Sequence, residues 1–306
     1  MKRWIPAACV AALVFAGFWL ARSSSRRSAE AVAQAQLASS SVPVPQREHR
    51  LEAAALQLKE DPENIQALLE SGRLHYEKGK EFYPDAINEL EEAWRLGALD
   101  PMTFYYLGVM YQEEGLYSFA ISQYKRFLRN KPDDLEIRLL LAKLLYQNGQ
   151  YDEALTHYAW AQSHGSKDPV VRENMGLCLV ALKRTDEASK IFQELSQRGS
   201  AEGKRADFYL GQIASDGLRY QEAIDLFSKA LPLGNEDIGI PPAVLHAALA
   251  VDLQKLERWD SAKAEWEKAL GYDPSDKKAK RQLGVVKAAI RKAERAAKRR
   301  SSRRRG

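Results

Sequence analysis

The stretch FYYLGVMYQEEGLYSFAISQYKRFLRNKP, residues 104–132, holds two apolar patterns separated by a glycine. Each pattern follows i, i+3, i+4 and i+7 spacing, which is typical of a helix with one apolar face. Gly115 lies between the patterns, where a chain leaving a helix commonly needs a left-handed residue. Pro132 follows the second pattern, where proline prevents the helix from continuing. The stretch therefore predicts a hairpin of two helices.

The same pattern recurs along the chain at a nearly constant period. One alanine of the second helix marks each unit, at intervals of 34, 34, 34, 35 and 39 residues: Ala86, Ala120, Ala154, Ala188, Ala223 and Ala262. A large aromatic residue follows four positions later in five units: Tyr124, Tyr158, Phe192, Phe227 and Trp266. A small residue, such as Gly108 or Gly176, keeps its place in the first helix and allows close approach. A fixed period near 34 indicates stacked helical hairpins, and we expect the aromatic residues to fill the space between neighbouring hairpins.

This pattern resembles the tetratricopeptide repeat family over roughly residues 46–297. The resemblance implies an all-α fold, a right-handed superhelical array of helix–turn–helix repeats. We predict six repeats with a leading half-repeat helix over residues 46–275, and a capping helix over 276–297. Two departures concern loops. Lys183 and Thr185 replace the turn glycine and tyrosine of the fourth unit, and a five-residue insertion within 233–242 lengthens the link before the last unit.

The N-terminal segment is an uncharged run, residues 5–20, with Trp4 and Trp19 near its edges. Its length is marginal for a membrane span and long for a signal peptide. We predict that residues 1–21 form a retained single-pass transmembrane anchor and that residues 22–45 form a flexible linker. The chain would then resemble N-terminally anchored bacterial proteins of this family.

Two points about this segment remain open, its cleavage and its orientation. One is a signal segment that is cleaved within residues 21–33 and releases a secreted, soluble protein. The other concerns orientation, because basic residues on the two sides of the run nearly balance. The signal-like beginning favours an extracytoplasmic location for the body of the protein. Cys9 and Cys178 offer no disulfide within the array that would report on the compartment.

Charge is segregated along the chain. Of the 46 Lys/Arg and 41 Asp/Glu residues, residues 277–306 hold 14 and one, and residues 1–27 hold five and none. Residues 28–276 therefore hold 27 basic and 40 acidic residues, a net charge of −13. The basic tail, residues 298–306, and the end of the capping helix favour contact with a polyanion such as anionic lipid or nucleic acid. The candidate residues are Arg295, Lys298, Arg299, Arg300, Arg303, Arg304 and Arg305. The alternative is a solvated terminus that only raises solubility.

The resemblance also implies where a partner binds, because the first helices of successive repeats line the concave face in this family. The candidate groove residues are Arg73, Tyr105, Tyr106, Lys143, Tyr146, Asn174, Phe208, Tyr209 and Gln212. The two aromatic doublets are the foremost candidates, because adjacent helical residues diverge by about 100° and seldom both fit one core. Such a face suits an extended peptide or a partner helix. The alternative is that these side chains pack between repeats.

No pattern in the sequence indicates a catalytic, cofactor or metal site. Residues 199–204 are too short for a phosphate-binding loop, and the five histidines have no ligand neighbour at zinc-site spacing. We therefore predict a membrane-tethered, non-catalytic scaffold or adaptor that binds an unidentified protein partner in its groove. A small-molecule substrate and nucleic acid are not expected as its main ligands.

Overall fold

The computed structural model describes residues 44–232 and 237–303, with side chains over 46–232 and 237–298. The predicted anchor, residues 1–21, lies outside these residues, as does the linker up to residue 43. Among the described helices, none combines the length and the apolar character that crossing a membrane requires. The superhelical course of the whole array stays a prediction.

Fourteen α-helices and no strand make up the described residues. A short 3-10 turn, Lys80–Phe82, precedes the third helix. In chain order the helices are α1 Val44–Glu60, α2 Ile65–Lys78, α3 Tyr83–Arg95, α4 Pro101–Glu113, α5 Tyr117–Asn130, α6 Leu135–Gln147, α7 Tyr151–Ser163, α8 Pro169–Ala181, α9 Thr185–Ser196, α10 Ala201–Asp216, α11 Tyr220–Ala230, α12 Pro242–Lys255, α13 Trp259–Tyr272 and α14 Lys277–Arg303. The predicted all-α array of helical hairpins is confirmed, with one leading helix, six hairpins and one closing helix.

The helices belong to two compact units. The N-terminal unit contains α1–α7 and ends at Ser166, and the C-terminal unit contains α8–α14 and begins at Lys167. Within each unit, every first helix packs against the second helix of its own hairpin and against the helix that precedes it. Each hairpin therefore completes the core of its neighbour, as stacked repeats must.

The first helices begin at side-chain caps. The side-chain oxygen of Asn64 accepts a hydrogen bond from the backbone N–H of Ala67 at 3.0 Å, and Asp134 accepts one from Ile137 at 2.9 Å. Asp100 and Asp168 cap α4 and α8 in the same way, each directly before a proline at the first helical position. Such a cap satisfies backbone donors that have no partner within the helix.

The turns between paired helices share one left-handed residue. Gly115 and Gly149 have φ angles of 75° and 78°, as their sequence position predicts. Lys183, Leu218 and Glu257 occupy the same turn position with φ angles of 61°, 61° and 57°. The turn geometry therefore persists in three units that have another residue than glycine at this position. Left-handed backbone costs such a residue about 1–2 kcal/mol.

Close contact within a hairpin depends on the small residue of the first helix. A Cβ atom added to Gly108 would lie 2.5 Å from the ring of Tyr124, and one added to Gly176 would lie 2.6 Å from Phe192. The predicted role of the glycine is confirmed. The predicted role of the aromatic residue needs correction, because its ring covers the glycine of its own hairpin rather than only the space between hairpins. The ring of Phe192 does both, since it also lies 5.0 Å from the ring of Tyr209 in the next hairpin.

Both ends of the array are longer than predicted. Helix α1 begins at Val44, two residues inside the predicted linker, and α14 runs to Arg303 rather than ending at residue 297. Residues 285–303 contain neither glycine nor proline and are rich in Ala, Lys and Arg. These residues have high helix propensity, so the helix continues into the segment that was predicted to be a tail.

Candidate partner-binding surface

A half-exposed surface lies on the first helices of the N-terminal unit. We call it the first-helix face and define it by eight residues of intermediate exposure on α2, α4 and α6: Leu69, Arg73, Met102, Tyr106, Leu139, Leu140, Lys143 and Tyr146. It combines aliphatic and aromatic side chains with two cations. Surfaces of this composition bind peptides or helices, because large rigid side chains supply much of the affinity.

Tyr106 is the aromatic centre of this face. Its ring lies 4.8 Å from the ring of Tyr76 on α2 and 5.6 Å from that of Tyr105. Burial raises the pKa of the Tyr106 phenol, and Arg73 acts in the opposite direction. The charge of Arg73 on α2 therefore acts on the phenol of Tyr106 on α4.

Arg73 is held in position by carboxylates of its own helix. Its Nη1 atom lies 3.3 Å from Glu77, and its Nη2 atom lies 3.4 Å from Glu70. Arg47 of α1 approaches Glu77 at 3.7 Å from the other side. A cation that is already held in place loses less side-chain entropy when a ligand binds.

Glu136 adds a buried acceptor beside this face. Its Oε1 atom is buried and has no hydrogen-bond partner among the described residues. Burial raises the pKa of this carboxyl, and Asp134 adds to the effect. Tyr105 lies nearby, and its own pKa is raised to about 12 by burial first and by Glu136 second. A donor from a ligand would relieve the cost of this unpaired oxygen. Glu136 was not among the predicted groove residues, because nothing in its spacing marks an unpaired atom.

The corresponding surface of the C-terminal unit is covered only in part by residues of that unit. Arg205 of α10 forms a bidentate ion pair with Glu173 of α8, with N···O distances of 2.7–2.9 Å. The backbone carbonyl of Ile238 accepts a hydrogen bond from Arg205 Nη1 at 3.3 Å. Ile238 and Ile240, in the insertion before α12, are only 1% and 4% exposed. The insertion therefore packs into the unit rather than only lengthening a link.

The aromatic doublets are not the exposed anchors that the sequence suggested. Tyr105, Phe208 and Tyr209 are at most 3% exposed. The two side chains of a doublet point in different directions, as expected, and each contacts a different neighbouring helix. Tyr105 faces Phe127 of its own hairpin at 6.5 Å, whereas Tyr106 faces Tyr76 of the preceding one. A first helix packs on two sides, so Tyr105 is buried within its own hairpin, whereas Tyr106 contacts Tyr76 and keeps intermediate exposure.

The second doublet follows the same rule, with ring distances of 5.6 Å from Phe208 to Phe227 and 5.0 Å from Tyr209 to Phe192. Of the other candidates in the C-terminal unit, Asn174 and Gln212 keep intermediate exposure. The structure thus brings Arg73, Tyr106, Lys143 and Tyr146 onto the first-helix face of the N-terminal unit. Their role in binding stays a prediction.

The basic candidates lie on or beyond α14. Every residue from Arg291 to Lys298 is exposed, which includes Arg295 and Lys298. Arg299, Arg300 and Arg303 continue the same helix, and Arg304 and Arg305 lie outside the described residues.

The histidines and acids of the array form pairs rather than metal sites. His75 lies 2.7 Å from Glu89, and His246 lies 2.6 Å from Glu265. Within 44–232 and 237–303, no group of three or more potential ligands is placed to hold a metal ion. These pairs link the two helices of a hairpin and serve its packing.

Comparison with known families agrees with this architecture. Residues 174–238 match the family model for the tetratricopeptide repeat, and residues 113–195 match the model for subunit 3 of the anaphase-promoting complex, or cyclosome. The chain is 25% identical over 169 residues to the BBSome complex member BBS4 of Bos taurus. That alignment covers 55% of this chain and 31% of the bovine protein, so the chain spans about a third of the length of this relative.

Solved structures share the fold at low sequence identity. The C-terminal part of a TPR repeat-containing protein from Cytophaga hutchinsonii is similar with a TM-score of 0.54 and 16% identity, covering 78% of this chain and 95% of that one. The structure of Naa15/Naa10 bound to HypK-THB is similar with a TM-score of 0.51 and 18% identity, covering 83% and 40%. The described helices therefore have the fold of a tetratricopeptide-like repeat array.

Proposed function

We propose that this chain is a non-catalytic adaptor that binds a protein partner on the first-helix face of its N-terminal unit. The main support is the composition of this face, because Tyr106 and Tyr146 bring aromatic side chains of intermediate exposure onto it. In the C-terminal unit, Arg205 instead pairs with Glu173 and donates a hydrogen bond to Ile238 of the insertion. The ligand that suits this face is an extended peptide or a helix with apolar side chains.

A charge-reversal pair tests this proposal. Lys143→Glu changes the first-helix face, and Lys125→Glu makes the same change on α5, where Lys125 pairs with Glu153 at 2.6 Å. The full chain is cross-linked in intact cells, purified, and its co-purifying proteins are quantified. We expect Lys143→Glu to reduce the principal partner about tenfold, equivalent to about 1.4 kcal/mol. Equal loss in both variants, or no loss in either, would rule out this face.

The adaptor is proposed to be held at a membrane by residues 1–21, with its body on the extracytoplasmic side. The uncharged run with tryptophans at its edges supports an anchor. Alkaline extraction of membranes tests retention, because a retained span stays with the lipid and a cleaved protein is released. N-terminal sequencing of the mature protein distinguishes an intact residue 1 from cleavage within 21–33. Protease added to intact cells then tests the side on which the array lies.

A second candidate function is supported by the exposed cations of α14. In it, residues 295–306 bind a polyanion and the array only positions them. Deletion of residues 295–306 separates the two functions. Loss of binding together with a steep salt dependence supports the basic segment, and retained partner binding supports the first-helix face.

A further inference from the structure

Helix α14 is a first helix that has no second helix among the described residues. Leu283 and Gly284 fall in register with Leu107 and Gly108 of α4. Ala279 and Val286 are 1% and 0% exposed, and α14 packs against α13. One side of α14 is therefore part of the array, and the side that would meet a hairpin partner is left uncovered.

Gly284 marks the uncovered side. In four hairpins, a Cβ added to the first-helix glycine would meet a side chain of the second helix at 2.5–2.7 Å: Gly72 against Leu90, Gly108 against Tyr124, Gly176 against Phe192 and Gly211 against Phe227. At Gly284 nothing lies within 4 Å among the described residues. The helix thus keeps an open notch, and its equivalents each hold a bulky apolar side chain.

The notch is flanked by two lysines, of which Lys287 also lies 3.3 Å from Glu267 of α13. In α4 the residues four before and three after the glycine are Phe104 and Tyr111, and in α14 they are Lys280 and Lys287. Four further positions at helical spacing complete one stripe: Lys277, Arg291, Arg295 and Lys298. The stripe extends about 32 Å at 1.5 Å per residue. It repels a purely apolar helix and attracts an acidic one.

We propose that α14 docks an acidic amphipathic helix from a protein partner and so completes a seventh hairpin between two chains. A bulky apolar side chain of that helix occupies the notch at Gly284, and its carboxylates face Lys280 and Lys287. The site belongs to the C-terminal unit and does not depend on the function proposed above.

The ligand is a helix rather than a lipid surface or nucleic acid for two reasons. Val286 of α14 is buried and Val285 is 51% exposed, so among the described residues α14 has little apolar surface to insert into a bilayer. No aromatic residue follows Tyr272, so the helix offers no side chain on which bases could stack. Only a second helix makes use of the notch at Gly284.

The test compares a helical ligand with ligands that carry charge alone. The full chain, in detergent micelles, is titrated with a labelled helical peptide of about 21 residues, rich in Glu and Ala with one central Leu. Poly-glutamate of the same charge, a short DNA duplex and phosphatidylserine vesicles are the three comparison ligands. Gly284→Leu fills the notch and keeps every charge, and Ala296→Leu adds the same side chain at an exposed position outside the stripe.

We expect the wild-type chain to bind the peptide more tightly than poly-glutamate. Gly284→Leu should weaken peptide binding about tenfold and leave poly-glutamate binding unchanged, whereas Ala296→Leu should change neither. Lys280→Glu with Lys287→Glu should weaken both ligands. Circular dichroism checks that helix content persists, as expected because leucine favours helix more than glycine does. Three results would overturn the proposal. They are no peptide binding, peptide binding that Gly284→Leu does not change, and peptide binding no tighter than that of poly-glutamate, DNA or vesicles.

Discussion

Gly176 and Phe192 show how one missing Cβ positions two helices. The ring of Phe192 is fully buried and lies where a Cβ of residue 176 would be, at 2.6 Å. We predict that Gly176→Ala lowers the free energy of unfolding by about 1–3 kcal/mol, because the ring must move within a close-packed core. Urea unfolding followed by circular dichroism measures the change.

Gly271→Ala is the matched control for this prediction. Gly271 lies within α13, and a Cβ there has nothing within 4 Å among the described residues. Alanine favours helix over glycine, so this variant should gain about 0.5–1 kcal/mol. If Gly176→Ala is as stable as Gly271→Ala, the close contact with Phe192 does not limit the hairpin.

Asp252 gives the array a pH-dependent stability. It is 1% exposed, its Oδ1 accepts a hydrogen bond from Ser215 at 2.7 Å, and its Oδ2 has no partner among the described residues. Burial raises the pKa of this carboxyl to about 6, from 3.8. The folded protein therefore binds the proton more tightly than the unfolded chain does. The contribution of Asp252 to the free energy of unfolding should fall as the pH rises from about 4 to 6 and stay level above that.

Asp252→Asn removes this titration. We predict that it raises the free energy of unfolding at pH 7 by about 1–2 kcal/mol and flattens the profile between pH 4 and 6. Unfolding midpoints measured across this pH range check both effects. An unchanged profile would mean that another group carries the pH dependence.

At single residues, the sequence predicted packing better than exposure. The glycine positions and the left-handed turns follow from spacing alone. The burial of Tyr105 and Tyr209 does not, because it depends on a neighbouring hairpin that supplies Phe127 or Phe192. The unpaired Oε1 of Glu136 likewise emerges only once the helices are packed.

Between elements, the Glu173–Arg205 pair joins α8, α10 and the insertion before α12. The side chains of this pair are only 7% and 14% exposed, and burial raises the pKa of Glu173 against the opposing effect of Arg205. We predict that Arg205→Met destabilises the C-terminal unit by about 3–5 kcal/mol, because it leaves a buried carboxylate unpaired.

The double variant Arg205→Met with Glu173→Leu should recover most of that loss, since it removes both charges together. Urea unfolding of the single and double variants measures the coupling. A double variant as unstable as Arg205→Met would show that the pair is needed for more than charge balance.

Among the elements, the sequence predicted every hairpin but not the packing of the insertion or the length of the last helix. The 34-residue period determines where helices begin, and caps such as Asp134 confirm those beginnings. The insertion was predicted as a link, yet Ile238 and Ile240 are buried, because an alternating Ile-Gly-Ile segment has no helical period to reveal its packing. Helix α14 extends to Arg303, beyond the predicted end at residue 297. The basic charge of this segment indicated a tail, although Lys and Arg are good helix formers.

For the whole molecule, two surfaces are proposed to bind proteins. The first-helix face of the N-terminal unit is proposed to bind a partner, and α14 is proposed to dock an acidic helix. In the C-terminal unit, the insertion contacts the first helix α10 through the hydrogen bond from Arg205 to Ile238.

Site-specific photo-cross-linking in intact cells tests the central claim most directly. A photoreactive phenylalanine analogue replaces Tyr146 on the first-helix face or Phe119 on α5, which is 57% exposed and serves as the matched aromatic control. We predict a discrete protein adduct at position 146 that is absent or much weaker at 119, and that Lys143→Glu abolishes. No adduct at 146, or an adduct of equal strength at 119, would contradict the claim that this face binds the partner.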